Sequence, residues 1–156
     1  MDAPQQDHDF LQRAIDLAQQ NVEKGGQPFG AVLVKDSTIL ADGVNDVYID
    51  CDPTAHAEIQ ALRHAGHTHG TPTFDGTTMY ASGKPCAMCM SAMIMAGVSR
   101  VVYAAGDDMG EPYGWSTLAL YERMQAPFGE QGIQVEYLRN ESKLNAYKAW
   151  KKRHVL

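Results

Sequence analysis

The sequence predicts an α/β protein, a three-layer α/β/α sandwich around a central mixed five-stranded sheet. Three observations carry that expectation. Short apolar and β-branched runs recur along the chain, segments of helical periodicity separate the later ones, and Gly, Pro or Asp punctuates the junctions. Helices between the later strands make those strands parallel neighbours and place helices on both faces of the sheet. At 156 residues the chain is long enough for a proper core and reads as a single domain over residues 1–156.

The elements follow in order. Phe10, Leu11, Ala14, Ile15, Ala18 and Val22 recur at helical spacing, and Gly25-Gly26 ends the run. Ala31–Val34 and Thr38–Leu40 form a hairpin turning at Lys35-Asp36-Ser37. Pro53-Thr54 opens a helix that runs to about Ala65 and stops at Gly66, and the polar stretch Gly66–Gly76 is a loop. Thr77–Ala81 is a strand. Pro85 occupies the first position of a second helix, where its missing N–H costs nothing, and Gly97 ends that helix. Arg100–Ala104 is a buried strand and Asp107–Gly114 a loop. Leu118–Met124 is helical. Ile133–Leu138 alternates and supplies the fifth strand. Ser142 caps a last helix that reaches Lys152. No internal repeat or low-complexity segment interrupts this order.

Composition narrows the function. A hydrophobic share of 44% with 21% charged residues fits an ordinary globular protein, and no apolar run is long enough to span a bilayer. The N-terminal Met1–Asp7 stretch is acidic and polar, without the basic start and apolar stretch of a signal peptide, so the expected location is cytoplasmic with no membrane partner. A net charge of −6 repels phosphate backbones and argues against a nucleic-acid partner. The basic run Lys148–Arg153 suits the end of a helix, where cations meet the negative end of its dipole. Cys51, Cys86 and Cys89 are an odd set with two members in a C-x-x-C, which favours metal over a disulfide framework. Cys51 itself has no ligand spacing to any partner. His64, His67 and His69 read as solvated residues at a helix end, and Met88, Met90, Met93 and Met95 as adaptable packing groups.

Two short motifs carry the chemistry. His56-Ala57-Glu58 and Pro85-Cys86-Ala87-Met88-Cys89 supply one imidazole, two thiols and a carboxylate. His56, Cys86 and Cys89 can hold Zn2+ with three protein ligands and leave the fourth position to water, the pattern of a catalytic rather than a structural zinc. Both motifs fall at helix starts, where unpaired N–H groups and the positive end of the dipole favour thiolates. Cys86 and Cys89, three residues apart, face one side. Glu58 then stands beside the open position as the catalytic proton carrier.

With these motifs the chain resembles the cytidine-deaminase-like superfamily, and within it the His-Ala-Glu branch of guanine deaminases, fungal-type cytosine deaminases and tRNA adenosine deaminases. The resemblance runs from Gly25-Gly26-Gln27-Pro28-Phe29-Gly30-Ala31-Val32 through Gly43-Val44-Asn45, Asp52–Glu58 and Pro85–Cys89 to Arg100–Ala105. Its wording at Pro28–Ala31, at Asp52–Glu58 and at Ala146–Lys152 is most similar to the bacterial guanine deaminases. It implies a zinc-dependent hydrolase of a cyclic amidine C–N bond, acting on a free nucleobase or small amino-heterocycle. Guanine is the first expectation, cytosine or a nucleoside the second, and a tRNA adenosine a third. It also implies a homodimer. By the same resemblance Asn45 hydrogen-bonds the base and Phe29 walls it, with Ala57, Pro85, Trp115 and Trp150 as further substrate contacts. The plainer alternatives are a turn residue for Asn45, a core position for Phe29 and an anchor for the last helix for Trp150.

Two positions depart from the guanine deaminase pattern. Gly114-Trp115-Ser116-Thr117 carries no carboxylate where acidic residues are usual, and the nearest acids are Asp107, Asp108 and Glu111. Lys84 replaces the Glu commonly found before Pro-Cys. Neither touches the zinc chemistry. Both bear on which ring is accepted.

Overall fold

Nineteen residues of helical periodicity open the computed structural model as α1 (Gln5–Glu23). The structure is described over residues 4–154; Met1, Asp2 and Ala3, part of the polar N-terminal stretch, lie outside the described residues. β1 (Gln27–Lys35) and β2 (Thr38–Asn45) form the predicted antiparallel hairpin. Its turn places Asp36 and Ser37 at φ 47° and 63°, a turn whose twist matches that of the strands. α2 (Ala57–His69), β3 (Thr78–Gly83), α3 (Ala87–Met95) and β4 (Arg100–Ala105) follow. β3 pairs antiparallel with β1 and parallel with β4, so the sheet order is β2-β1-β3-β4 and the sheet is mixed.

The alternation of β1 sorts the core into two layers. Ala31 and Leu33 face α2 and α3, in a cluster with Ala57, Ala61, Ala65, Met79, Cys89 and Met93. Val32 and Val34 face α1, in a second cluster with Ala14 and Tyr80. Helices on both faces of one sheet give the predicted α/β/α layering. α2 lies very close to the sheet at Gly43, where a Cβ would overlap the Ala57 carbonyl oxygen and the Ala61 nitrogen. That approach sets the height of the helix whose first turn carries Glu58.

Several sequence expectations need correction. The sheet has four strands among the described residues, not five. Ile133–Leu138 keeps its alternating pattern but forms no ladder, and its apolar members Ile133 and Tyr137 are 71% and 80% exposed. Alternation specifies a face; it does not supply a surface for that face to bury. α2 begins at Ala57 rather than at Pro53-Thr54, because Asp52 draws the chain into a local turn: its Oδ1 accepts the Thr54 N–H at 2.8 Å and the Thr54 hydroxyl at 2.6 Å. The same helix passes through Gly66 and ends at Gly70, whose φ of 65° forms the cap and whose N–H donates to the Gly66 carbonyl at 2.9 Å. Pro85 lies one residue outside α3, since Cys86 takes the cap position. The stretch read as a loop from Asp107 holds α4 (Asp107–Gly110) and a 3-10 turn (Glu111–Tyr113). α5 (Leu118–Gln125) stands as expected. The last helix, α6 (Asn145–His154), starts after Ser142, whose carbonyl accepts the Asn145 N–H at 2.9 Å.

The chain divides into two compact units, Met1–Glu122 and Arg123–Leu156. The first holds the sheet with its helices. The second holds α6 and the irregular segment before it, closed by Arg123, which donates to the Gln131 carbonyl at 2.9 and 3.1 Å. Among the described residues no helix is long and apolar enough to cross a membrane.

Asp7, buried at the start of α1, ties that helix to the sheet. It accepts two bonds from Arg100 of β4 at 2.6 and 2.8 Å and one from the Tyr80 hydroxyl at 2.6 Å. Arg100 first, and Tyr80 with it, hold the Asp7 carboxyl down at about 2. A carboxyl depressed on folding gives stability that is present above its unfolded value of 3.8 and is lost as pH falls toward about 2. Asp7→Asn therefore lowers the thermal midpoint at pH 7 and flattens its fall between about pH 4 and pH 2. Thermal melts of both proteins across that range check the slope; parallel curves would contradict it.

Candidate active site

Both motif helices present their first residues to one point. His56 caps α2 with φ −70° and ψ 156°, and Cys86 caps α3 with φ −73° and ψ 170°. Extended caps of this kind leave the side chain beside the helix start rather than along its flank. Cys89 follows one turn into α3, fully buried. His56 Nδ1 lies 3.6 Å from Cys86 Sγ and 3.6 Å from Cys89 Sγ. All three donor atoms lie within 4.8 Å of one another. Zinc with its usual bond lengths to sulfur and nitrogen separates tetrahedral N and S ligands by about 3.5 Å. The observed spacing and the N,S,S donor set therefore fit zinc.

The electrostatics agree. The Cys89 thiol donates toward Cys86, which with His56 holds the Cys86 thiol down at about 4 and pushes that of Cys89 up. The bond to Cys86 raises the imidazole of His56. These three groups share protons when nothing else neutralises them, and a bound dication lets both thiols ionise. Glu58, in the first turn of α2, is buried, and that burial pushes its carboxyl above the usual range.

A cavity of about 920 Å³ opens over this cluster. Phe29, Asn45, His56, Ala57, Glu58, Cys86 and Trp115 all line it. Asn45 ends β2, buried, and its Oδ1 accepts the Val47 N–H at 3.2 Å, so the turn role and the place at the cavity coexist. Phe29 meets Trp115 edge to face, ring centroids 5.0 Å apart. Pro85, next to Cys86 in the chain, is buried, and its carbonyl accepts the Tyr121 hydroxyl at 2.7 Å. Trp150 belongs to the second unit, where it stacks on His154 at 3.6 Å. Cys51 is exposed. His64 and His69 meet the Asp42 and Leu40 carbonyls at 2.8 and 3.4 Å.

Other cavity residues escaped sequence reasoning. Ile15, Ala18 and Gln19 of α1 line its far side. They belong to a helix whose apolar stripe reads only as core. Lys84 and Asp107 both line the cavity and form an ion pair at 2.5 Å. No periodicity links residues so far apart in the chain.

A helix-borne His-Cys-Cys centre with a buried carboxylate, on a mixed sheet layered by helices, defines the class of zinc-binding hydrolytic deaminases. The family model for the cytidine and deoxycytidylate deaminase zinc-binding region matches residues 4–105, and the chain belongs to that family. Its sequence is 38% identical over 143 residues to a guanine deaminase of Bacillus subtilis, a match covering 91% of this chain and 92% of that one. The crystal structure of the Bacillus subtilis guanine deaminase superposes with a TM-score of 0.86 at 37% identity, over 93% of each chain. A guanine deaminase from Nitrosomonas europaea gives a TM-score of 0.66 at 26% identity, over 96% of this chain and 74% of that one. A tRNA-specific adenosine deaminase of Buchnera aphidicola is 42% identical over 96 residues, which is 62% of this chain and 59% of the relative.

Proposed function

We propose that this chain hydrolyses the exocyclic amine of a free nucleobase, guanine first, releasing ammonia. The single observation that carries the reading is the cluster of His56, Cys86 and Cys89 at 3.6 Å spacings beneath a cavity that also holds Glu58. The match to the Bacillus subtilis guanine deaminase supports guanine, because it runs through nearly the whole chain. The match to the tRNA deaminase covers a smaller part, and the net charge of −6 disfavours a polyanion.

His56, Cys86 and Cys89 hold the zinc in this account. Zinc, when bound, supplies the Lewis acidity that makes a water nucleophilic near neutral pH. Glu58 takes a proton from the attacking water, passes it to the ring nitrogen beside the attacked carbon, and then moves a proton to the departing amine. The C–N bond breaks as the oxo group forms, so guanine and water give xanthine and ammonia. Asn45 offers an amide to the base edge, Phe29 and Trp115, set edge to face, wall the ring together, and Ala57 and Pro85 frame it at the two helix starts. The whole chain acts as one deaminase domain in this reading. A homodimer is supported by the largely exposed Ile94 and Met95 at the end of α3; sedimentation of the purified protein at twice the chain mass is the expected result.

Ammonia release from a panel of aminopurines, aminopyrimidines and their nucleosides tests the substrate, with a tRNA added as a further arm. Guanine is expected to lead the panel. Inosine formation in the tRNA would overturn the reading. Deletion from Asn145 onward tests Trp150: the truncated protein is expected to keep zinc and fold while its affinity for the base falls. Unchanged kinetics in a folded truncation would remove Trp150 from the site.

A further inference from the structure

One carboxylate beside the cavity does not belong to the chemistry above. Asp107, the first residue of α4, is nearly spent on its own neighbours. Its Oδ1 accepts the Thr117 N–H at 2.6 Å and the Thr117 hydroxyl at 2.9 Å, and its Oδ2 accepts Lys84 Nζ at 2.5 Å. A carboxylate has about four acceptor positions, and three are filled. Only 11% of its side chain is exposed. Lys84 in turn lies over the Tyr121 ring, 5.1 Å from its centroid, and Tyr121 bonds the Pro85 carbonyl next to Cys86. One carboxylate thus joins the end of the 107–117 loop to the segment that leads into the thiols.

Trp115 lies in the loop that the Asp107–Thr117 bonds close. The Trp115 N–H donates to the Gly110 carbonyl at 3.0 Å, and Gly110 must be bare because a Cβ there would meet the Trp115 carbonyl. Those contacts fold the loop back on itself. They do not fix it to the sheet. The Asp107–Lys84 bond does, and Trp115 then sets its edge against Phe29. We infer that Asp107 is a positioning residue: it latches the Thr117 end of the loop to Lys84, holds Trp115 against Phe29 as one wall of the ring site, and leaves the ring's polar edge to other groups. The inference rests on the reading that this cavity takes the substrate ring.

The latch gives the cavity a shaped wall at Gly114–Thr117, a stretch that itself carries no carboxylate. Charge-assisted bonds to a carboxylate are the strong ones, and three converge here. Losing them frees the wall rather than the zinc chemistry. Wall placement governs ring binding, so KM moves while kcat stays.

The test uses zinc-loaded protein. In a Trp150→Phe background Trp115 is the sole tryptophan, because the chain has two. Adding Asp107→Ala is expected to shift its emission to the red and to raise its quenching by acrylamide, with no substrate present. In the full chain Asp107→Ala is expected to raise KM about tenfold and to leave kcat within about twofold, by the same factor for guanine and for any second ring accepted. Asp107→Asn keeps an acceptor for Thr117 and is expected to recover most of the loss. Lys84→Met keeps Thr117 bonded, gives a smaller rise in KM, and stands in if Asp107→Ala fails to fold. Unchanged Trp115 emission in Asp107→Ala, or in Lys84→Met if that variant stands in, would overturn the latch. So would a fall in kcat at constant KM, or a KM effect confined to rings bearing a particular amino group, which would make Asp107 a direct reader. The emission arm needs no turnover, so a protein that deaminated no base would refute the substrate reading and leave the latch tested.

Discussion

Glu58→Gln leaves a folded, zinc-loaded protein whose kcat falls by roughly 10²–10⁴ or more. The change is nearly isosteric at a buried position, so the first turn of α2 and its neighbours His56 and Ala57 stay where they are. What is lost is the ability to accept and return a proton. An amide oxygen accepts a hydrogen bond but does not carry the proton between water, ring nitrogen and amine. Because Glu58 is not one of the clustered donors, metal content is unchanged. Elemental analysis and steady-state kinetics on the same sample separate the two effects. More than about a tenth of the wild-type kcat would remove Glu58 from the mechanism, given what a positioned acid–base group is worth.

His56→Ala and Cys86→Ala have a different signature, in which metal and activity disappear together. Each leaves two donors where a tetrahedral catalytic site needs three. The fold survives, because α2 and α3 are packed through Ala57, Ala61, Ala65, Cys89 and Met93 rather than through the ligands at their caps alone. The expected result is a native circular dichroism spectrum, zinc far below one per chain, and no ammonia release. Stoichiometric zinc with retained turnover in either variant would contradict the centre. Together the two experiments distinguish a proton carrier from a ligand, which sequence adjacency in His56-Ala57-Glu58 cannot do by itself.

The His-Cys-Cys cluster was legible in the sequence because its parts are short and local. His56, Cys86 and Cys89 differ in type from everything around them, and both motifs sit where a helix must begin. The hairpin and the parallel β3–β4 pair followed from periodicity and from the helix between those strands. The misses share a physical cause, which is competition that a local pattern does not reveal. Pro53 is a good helix starter, yet Asp52 captures Thr54 first. Gly66 is a good stop, but Gly70 takes the left-handed cap. Ile133–Leu138 has a strand's alternation and its apolar face is left exposed. The Lys84–Asp107–Thr117 latch depends on long-range contacts between residues with no spacing rule. The departures at Lys84 and at Gly114–Thr117 were visible as residues, whereas their connection through Asp107 needed coordinates.

The most direct test of the central claim follows the atoms. Zinc-loaded protein is incubated with guanine in ¹⁸O-labelled water, and the products are quantified by chromatography and mass spectrometry. Hydrolytic deamination predicts one xanthine and one ammonia for each guanine consumed, with one solvent oxygen in the xanthine, and none of this in Glu58→Gln. Guanine recovered intact by active-site-competent, zinc-replete protein, or xanthine formed without solvent oxygen, would contradict it.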